Sequence, residues 1–135
     1  MSQQPPSYGH ASVIEMFGFI DEGRGDGWAR VRMPILPRHC RSAMASSGVQ
    51  GGVIVALADN AFVNASATAV RPGQTTTTTE MKANFIATAT EGDLFAECRL
   101  IHRGRRLHVG DIEVTDGTGR LIAKVSGTNM VLEQR

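Results

Sequence analysis

The feature that most limits how this chain can fold is an apolar run from Gln50 to about Ala69 with one carboxylate, Asp59, in its middle. The run opens on Gly51-Gly52 and is long enough for a helix of about five turns. Such a helix would be apolar nearly all the way round, so other elements must enclose it. Several of its residues are β-branched and have modest helix propensity, so burial must stabilise it.

The segments on either side of this run have the alternating pattern of strands. Trp28–Met33 alternates before it, and Arg71-Pro72-Gly73 turns the chain after it. The strand-like segments that follow are Gln74–Ile86, Asp93–His102, Arg106–Thr115 and Arg120–Leu132. Hairpin turns are expected at 103–105 and 116–119. This order predicts an α+β fold, in which one strand and a four-stranded antiparallel meander form a sheet wrapped around one long helix.

The remaining segments are predicted to be short or irregular. Residues 1–8 should be a loose tail, and Ala11–Ile20 a short helix. Residues 23–27 read as a turn, and His39–Gly48 as an irregular loop. The apolar contacts of the short helix are expected from Val13, Ile14, Phe17 and Phe19. The length suits a single domain over residues 1–135.

The composition argues against several classes of function. A formal net charge of +1 gives no general attraction to nucleic acid or anionic lipid. Asp59, Asn60 and Asn64 interrupt the apolar run, which makes it a poor membrane span. The histidines and cysteines lack metal-ligand spacing, so no metal is expected. Two distant cysteines and the absence of a signal-peptide pattern favour a cytoplasmic location.

The start of the apolar run resembles the signature of one protein family. Ser47–Val53 followed by Ala56–Ala61 is similar to the 4-hydroxybenzoyl-CoA/phenylacetate-type thioesterases. In that family G-x-H-G-G begins a helix, and an acid lies eight residues after the first glycine of the pair. Gly51 and Asp59 keep this spacing, while Gln50 stands in place of the histidine. Where some relatives carry an Asn or Gln, this chain has Met44.

Two weaker similarities extend the resemblance from about Trp28 to the C terminus. Met81–Ile86 resembles the family strand that borders the acyl pocket, and His102–Leu107 resembles its G-[KR]-x turn. The resemblance implies a hotdog fold and hydrolysis of acyl-CoA-type thioesters, with CoA as part of the substrate and no separate cofactor. It also implies a homodimer, often paired into a dimer of dimers.

Asp59 is the predicted centre of catalysis. A carboxylate enclosed in an apolar helix is costly without a partner or a role, and such an aspartate is expected to have a raised pKa. It would either activate water as a general base or attack the thioester carbonyl itself. The structural alternative is an aspartate that only bonds a threonine or a backbone amide.

The helix start is the predicted oxyanion site. First-turn N–H groups lack intrahelical partners, and the helix dipole adds positive charge there. The amides of Gly51 and Gly52 could therefore stabilise a thioester oxyanion, with Gly51 favoured by resemblance and Gln50 adding an amide donor. A glycine pair that only permits tight packing is the alternative. Eight helical residues separate Gly51 from Asp59 by about 12 Å, so the two can act together only across a dimer interface.

The remaining candidates would bind or orient the substrate. By resemblance Thr78 orients the attacking water, with Thr77 or Thr79 possible instead, and a simple threonine ladder is the alternative. The proposed substrate-binding residues are Gly52, Asn60, Phe85, Ile86, Arg103, Gly104, Arg105 and Arg106. The arginines would hold CoA phosphates through their guanidinium groups, unless they only form a solvated hairpin tip. Phe85 and Ile86 would line the acyl channel or simply pack in the core. His102 and His108 are predicted to lie on the strand surface.

Two other functions remain open from the sequence. A non-catalytic acyl-CoA binding or sensing protein would explain Gln50 in place of histidine and the apolar Met44. A hydratase or dehydratase would need an Asp/His pair, and no histidine follows Asp59 on its helix.

Overall fold

The computed structural model describes residues 12–42 and 47–134. Its helices are α1 (Val13–Phe17) and α2 (Gly51–Ala67), with one 3-10 turn at Pro37–His39. Its strands are β1 (Ile20–Gly25), β2 (Trp28–Pro34), β3 (Gln74–Phe85), β4 (Asp93–Arg103), β5 (Leu107–Asp116) and β6 (Leu121–Glu133). The predicted tail at residues 1–8 and the substitution at Met44 lie outside the described residues. No helix in the described ranges has the length and apolar character needed to cross a membrane.

The six strands form one antiparallel sheet that curves around α2, which confirms the predicted α+β hotdog architecture. The strand order is β1-β2-β4-β5-β6-β3. The predicted four-stranded meander is therefore wrong in one respect. β3 pairs with β6 at the far edge, while β4 pairs with β2, so only β4, β5 and β6 follow one another as a meander. The chain crosses between β3 and β4 instead of turning back as a hairpin.

The segment before β2 also differs from its prediction. The helix ends at Phe17, because Gly18 takes a left-handed conformation with φ 74° and caps it. Residues predicted as a turn between 23 and 27 mostly belong to strand β1, and only Asp26-Gly27 form the turn. Of the expected apolar contacts, Phe17 and Phe19 pack on the core, whereas Val13 and Ile14 are largely exposed.

One face of α2 supplies the centre of the core. Its buried residues are Val53, Ile54, Leu57, Ala58, Ala61, Phe62, Ala65 and Ser66. They meet the inward side chains of β2, β4, β5 and β6. The opposite face is not enclosed within one chain, because Gly52, Val63 and Ala67 are exposed. The prediction that the helix is surrounded therefore holds for one face only.

Phe62 explains two glycines of the sheet. Its ring is fully buried, and a Cβ atom at Gly110 or at Gly127 would lie only 2.7 Å from ring carbons. No real Cβ sits that close to a ring carbon, so strands β5 and β6 can approach this ring only where they carry glycine. The helix is thereby fixed against the middle of the sheet, which sets the position of Asp59 one turn earlier.

Candidate active site

Asp59 lies half-buried in the third turn of α2 and faces strand β3. The hydroxyl Oγ1 of Thr78 is 2.6 Å from Asp59 Oδ1, a short hydrogen bond. Thr77 and Thr79 are exposed, and the Thr79 hydroxyl donates to the backbone carbonyl of Thr128 instead. Of the three candidate threonines, Thr78 is therefore the one that the fold places beside the carboxylate.

A β-bulge in β3 selects Thr78. The register with β6 shifts between Thr78, which pairs with Asn129, and Glu80, which pairs with Thr128. Thr79 is thus the extra residue, and the less exposed side chains change from even positions before it to odd positions after it. The bulge lets Thr78 and Met81 both turn toward the helix.

The start of α2 is held by Gln50, whose side chain acts as the helix N-cap. Gln50 Oε1 accepts the Val53 N–H at 3.1 Å, and the Gln50 backbone N–H donates to the His39 carbonyl at 2.9 Å. The amide oxygen is therefore occupied in capping, which leaves Nε2 as the part of this side chain that can donate. Gly51 and Gly52 are the first two helical residues, whose N–H groups have no intrahelical acceptor.

Gly51 and Asp59 are not brought together within one chain. The helix is continuous from Gly51 to Ala67, so eight residues separate the two by about 12 Å. Gly51 instead lies against Phe85, whose Cζ would be 3.0 Å from a Cβ at position 51. Phe85 and Ile86 are 54% and 57% exposed, so neither side chain packs in the core. Asn60, next to Asp59, is half-buried.

Two of the three predicted phosphate-binding arginines line a cavity of about 230 Å³ near the other end of α2. Arg103, Gly104 and Arg105 line it together with Arg71 and Gln74. Arg103 is partly engaged, since its Nη1 is 2.7 Å from Asp26 Oδ1. Arg106 is exposed and is not part of this lining. The cavity is thus rich in guanidinium groups, as a phosphate site would need.

His108 was predicted to lie on the strand surface, and this is wrong. It is 2% exposed, and its Nδ1 lies 3.1 Å from Ser66 Oγ. Burial, with Arg103 and His102 nearby, lowers the pKa of His108. His102 is exposed, as predicted.

Sequence reasoning also missed three buried polar residues: Ser66, Asn129 and His39. The signal for Asn129 and His108 was available, since each occupies an inward position in the alternation of its strand. No comparable pattern marks His39, which ends the short 3-10 turn and lies outside the strands. Its Nδ1 accepts the Leu36 N–H at 3.0 Å, and Nε2 donates to the Phe17 carbonyl at 2.9 Å. Burial lowers the pKa of His39 as well.

Within 12–42 and 47–134, no three side chains among His, Cys, Asp and Glu cluster as metal ligands would. Cys98 is buried, and burial raises the pKa of its thiol to about 12. That thiol is therefore protonated and inert at neutral pH.

Comparison with known proteins identifies the class that this fold and site define. The profile of the thioesterase superfamily matches residues 49–123, which span α2 and most of the sheet. A Saccharolobus solfataricus protein bearing the name of an esterase is 38% identical over 125 residues, covering 89% of this chain and 79% of its own. The 1,4-dihydroxy-2-naphthoyl-CoA hydrolase of Escherichia coli is 30% identical over 120 residues, covering 87% and 86%.

A solved structure agrees with these relatives. A variant of a thioesterase enzyme from Staphylococcus aureus matches with a TM-score of 0.83 at 28% identity, covering 88% of this chain and 97% of that chain. The chain belongs to the thioesterase superfamily. It is a hotdog-fold thioester hydrolase, and hydrolysis is thereby favoured over hydration or dehydration.

Proposed function

We propose that this chain hydrolyses acyl-CoA thioesters, using Asp59 and Thr78 of one subunit and the Gly51 amide of a second subunit. The observation that carries the proposal is the 2.6 Å contact between Thr78 Oγ1 and Asp59 Oδ1 on the half-buried middle of α2. A carboxylate oriented in this way by a hydroxyl can bind one water through its other oxygen and take its proton. Hydrolysis of a CoA thioester by the Escherichia coli relative supports this substrate class.

The chemistry follows from the two ends of the site. Water attacks the thioester carbon while Asp59 accepts a proton from it, and the carbonyl oxygen becomes an oxyanion. Gly51 N–H of the partner subunit stabilises that oxyanion, aided by the dipole of the helix that begins there. The C–S bond then breaks, and the CoA thiolate leaves and is protonated as the free acid forms.

Direct attack by Asp59 is the other form of the same reaction. The carboxylate would form a mixed anhydride and expel the thiolate, and water would then hydrolyse the anhydride. A single turnover in ¹⁸O-labelled water distinguishes the two. General-base attack puts one ¹⁸O into the product acid and none into Asp59. Label in Asp59, which arises when water opens the anhydride at the Asp59 carbonyl, would show nucleophilic attack.

A dimer is part of the proposal because one chain separates the two ends of the site by about 12 Å. The long strand β3 lies at the edge of the sheet, and the uncovered face of α2 includes Val63, which is 38% exposed. Pairing of two β3 edges with these helix faces toward each other would cover both features. A pairing of two such dimers belongs to the same proposal.

CoA recognition is assigned to the arginine-lined cavity. Arg71, Arg103 and Arg105 would bind the phosphates, and Phe85 with Ile86 would border the acyl chain beside Gly51.

The first test is thiol release from a panel of aliphatic and aryl acyl-CoA thioesters. We expect turnover of at least one member, and Asp59→Asn should lower kcat by about 10²–10⁴-fold while the ligand still binds. Asp21→Asn, at an exposed carboxylate on β1, is the matched control and should keep full activity. Binding of the panel without any turnover would favour a non-catalytic acyl-CoA sensor instead.

The second test addresses the shared site. Asp59→Asn and Gly51→Pro chains, each inactive alone, are unfolded together and refolded as a mixture. A mixed dimer then has one site with both native residues, so activity should return to about one quarter of wild type. No recovery in mixed dimers would contradict a site built from two subunits.

A further inference from the structure

A row of polar side chains leads from Asp59 into the interior of the fold, and the proposed reaction uses only its first link. Thr78 Oγ1 lies 2.6 Å from Asp59 Oδ1 and 2.8 Å from Asn129 Oδ1. Asn129 Nδ2 lies 2.7 Å from Ser66 Oγ, which lies 3.1 Å from His108 Nδ1. We call these five side chains the polar row. It joins α2 to strands β3, β6 and β5.

The inner part of the polar row is fully removed from water. Ser66 and Asn129 are 0% exposed, and His108 is 2% exposed. Such groups are costly to bury unless each finds a partner, and among the described residues no buried side-chain nitrogen or oxygen lacks one. Apolar side chains could fill the same space without this requirement. Packing alone therefore does not explain why three linked polar residues lie behind Thr78.

Counting hydrogens shows that the polar row has a direction. The Thr78 hydroxyl has one hydrogen but lies between two oxygens, one of Asp59 and one of Asn129. When Asp59 is ionised, that hydrogen must go to the carboxylate. Asn129 must then present its amide nitrogen to Thr78. This requires a half-turn of the Asn129 side-chain amide, which exchanges the positions of Oδ1 and Nδ2, two atoms of nearly equal size. Its oxygen then accepts from Ser66, whose oxygen accepts from His108 Nδ1–H.

The opposite direction is equally complete when Asp59 carries a proton. Asp59 then donates to Thr78, which donates to Asn129 Oδ1. Asn129 Nδ2 donates to Ser66, and Ser66 donates to an unprotonated His108 Nδ1. Every group is satisfied in both cases, but all links reverse together. The hydrogen on the His108 ring is therefore coupled to the charge on Asp59.

We infer that Asn129, Ser66 and His108 are positioning residues for the proposed thioester hydrolysis: they hold Thr78 as a hydrogen-bond donor to ionised Asp59. This inference depends on the proposed function for its catalytic part. Among the described residues, Oδ1 alone of the two Asp59 oxygens receives a hydrogen bond, which leaves Oδ2 for the attacking water. During turnover, proton uptake by Asp59 would be accompanied by reversal of the row.

The surroundings of His108 keep it neutral. Its burial lowers its pKa, and Arg103 and His102 of β4 act in the same direction. Arg71 and Arg105 line the cavity that His108 reaches, and none of its lining residues within 12–42 and 47–134 is a carboxylate. At neutral pH the ring therefore carries a single hydrogen, on Nδ1 or on Nε2.

The decisive measurement is the ¹⁵N spectrum of the histidine rings of the full chain at neutral pH, with His108 assigned by its loss in His108→Asn. We expect the Nδ1–H tautomer for His108 and the opposite, Nε2–H, for buried His39, whose Nδ1 accepts from a backbone amide. Thr78→Val interrupts the polar row three hydrogen bonds away from His108, and it should abolish the Nδ1–H preference of the His108 ring. Thr77→Val, at an exposed neighbour, should preserve it. An Nε2–H tautomer for His108 in the wild type would overturn the inference.

Kinetics supply the second measurement. Ser66→Ala and Asn129→Leu should lower kcat by about 10–100-fold, as expected for lost support of a charged hydrogen bond, and leave KM nearly unchanged. Ser126→Ala, on the exposed side of β6, is the matched control. If Asn129→Leu fails to fold, Ser66→Ala and the ring spectra still decide the question. Normal kcat in Ser66→Ala, alongside an inactive Asp59→Asn, would refute the positioning role while leaving the proposed function intact. If no thioester is turned over at all, the ring spectra still report the direction of the row.

Discussion

The two ends of helix α2 are built in opposite ways. The first turn carries two glycines, exposes Gly52 and leaves backbone N–H groups without intrahelical acceptors. The later turns lock Phe62 between Gly110 and Gly127 and bury Ser66 with its polar partners satisfied. The buried face of the later turns has its polar partners within the same chain, whereas the first turn has backbone N–H groups that can still bind a ligand. One helix thus separates the part that secures the fold from the part available for chemistry.

The largest effect on stability should come from the later turns of α2. Phe62→Ala removes a fully buried ring that touches two strands, and we expect the free energy of unfolding to fall by about 3–5 kcal/mol. Phe85→Ala, at a ring that is 54% exposed near the first turn, should cost much less. Urea unfolding of both variants tests this. Equal losses would show that the two ends do not differ in stability.

The next largest effect should come from the first turn of α2, and it should appear in kcat instead of in stability. Gly51→Pro removes only an N–H that the helix does not use, and Gln50 already has the extended backbone (φ −66°, ψ 137°) that suits a following proline. We expect kcat to fall about 10²–10³-fold with little loss of stability. Gly51→Ala adds the same Cβ contact with Phe85 but keeps the N–H, so it should retain most activity. Similar losses in the two variants would exclude this amide as the oxyanion donor.

A third test uses the buried histidines, one near each end of the helix. Burial lowers the pKa of His39 and of His108, so below about pH 6.5 the unfolded chain binds protons that the folded chain does not. The free energy of unfolding should therefore fall on acidification from pH 7.5 to 5.5, by at most about 1.4 kcal/mol per pH unit for each histidine. His39→Gln and His108→Gln should each flatten this slope. A slope that persists unchanged in both buried variants would contradict this assignment.

The smallest effect is expected at Gln50, the N-cap residue of α2. Gln50→Ala removes the bond from Val53 N–H to Oε1 and should cost about 1 kcal/mol of unfolding free energy. Gln134→Ala, at an exposed position near the C terminus, provides the baseline. Thermal unfolding compares them. If Gln50→Ala is as stable as the baseline variant, the side chain is free for a role other than capping.

The sequence predicted most of the elements because periodicity is a local property. The bounds of α2 and the strands from β2 to β6 agree with their patterns to within a few residues. Pairing is not local: nothing in the residues of β3 shows that it joins β6 and not β4. Strand β1 escaped notice because its three charged residues and two glycines resemble a turn.

The candidate site shows the same difference between local features, which the sequence predicts, and non-local contacts, which it does not. The spacing of Gly51 and Asp59 is a property of one helix and was readable, as was their separation by about 12 Å. The polar row could not be predicted from the sequence, because Ser66, His108 and Asn129 come from three distant parts of the chain. An inward polar residue in a strand was a usable signal for two of them, but its partners depend on strand order.

The bulge at Thr79 has a consequence for how the threonine run can change over generations. Loss of any one of the five threonine codons yields the same shortened protein. The ladder on either side of the bulge is continuous, with Thr78 opposite Asn129 and Glu80 opposite Thr128. A contraction by one codon would straighten the strand yet still leave a hydroxyl opposite Asn129, whereas a contraction by two would draw the preceding turn into the ladder. We therefore expect the loss of one threonine to keep a hydroxyl opposite Asn129, which is the position that the proposed chemistry requires.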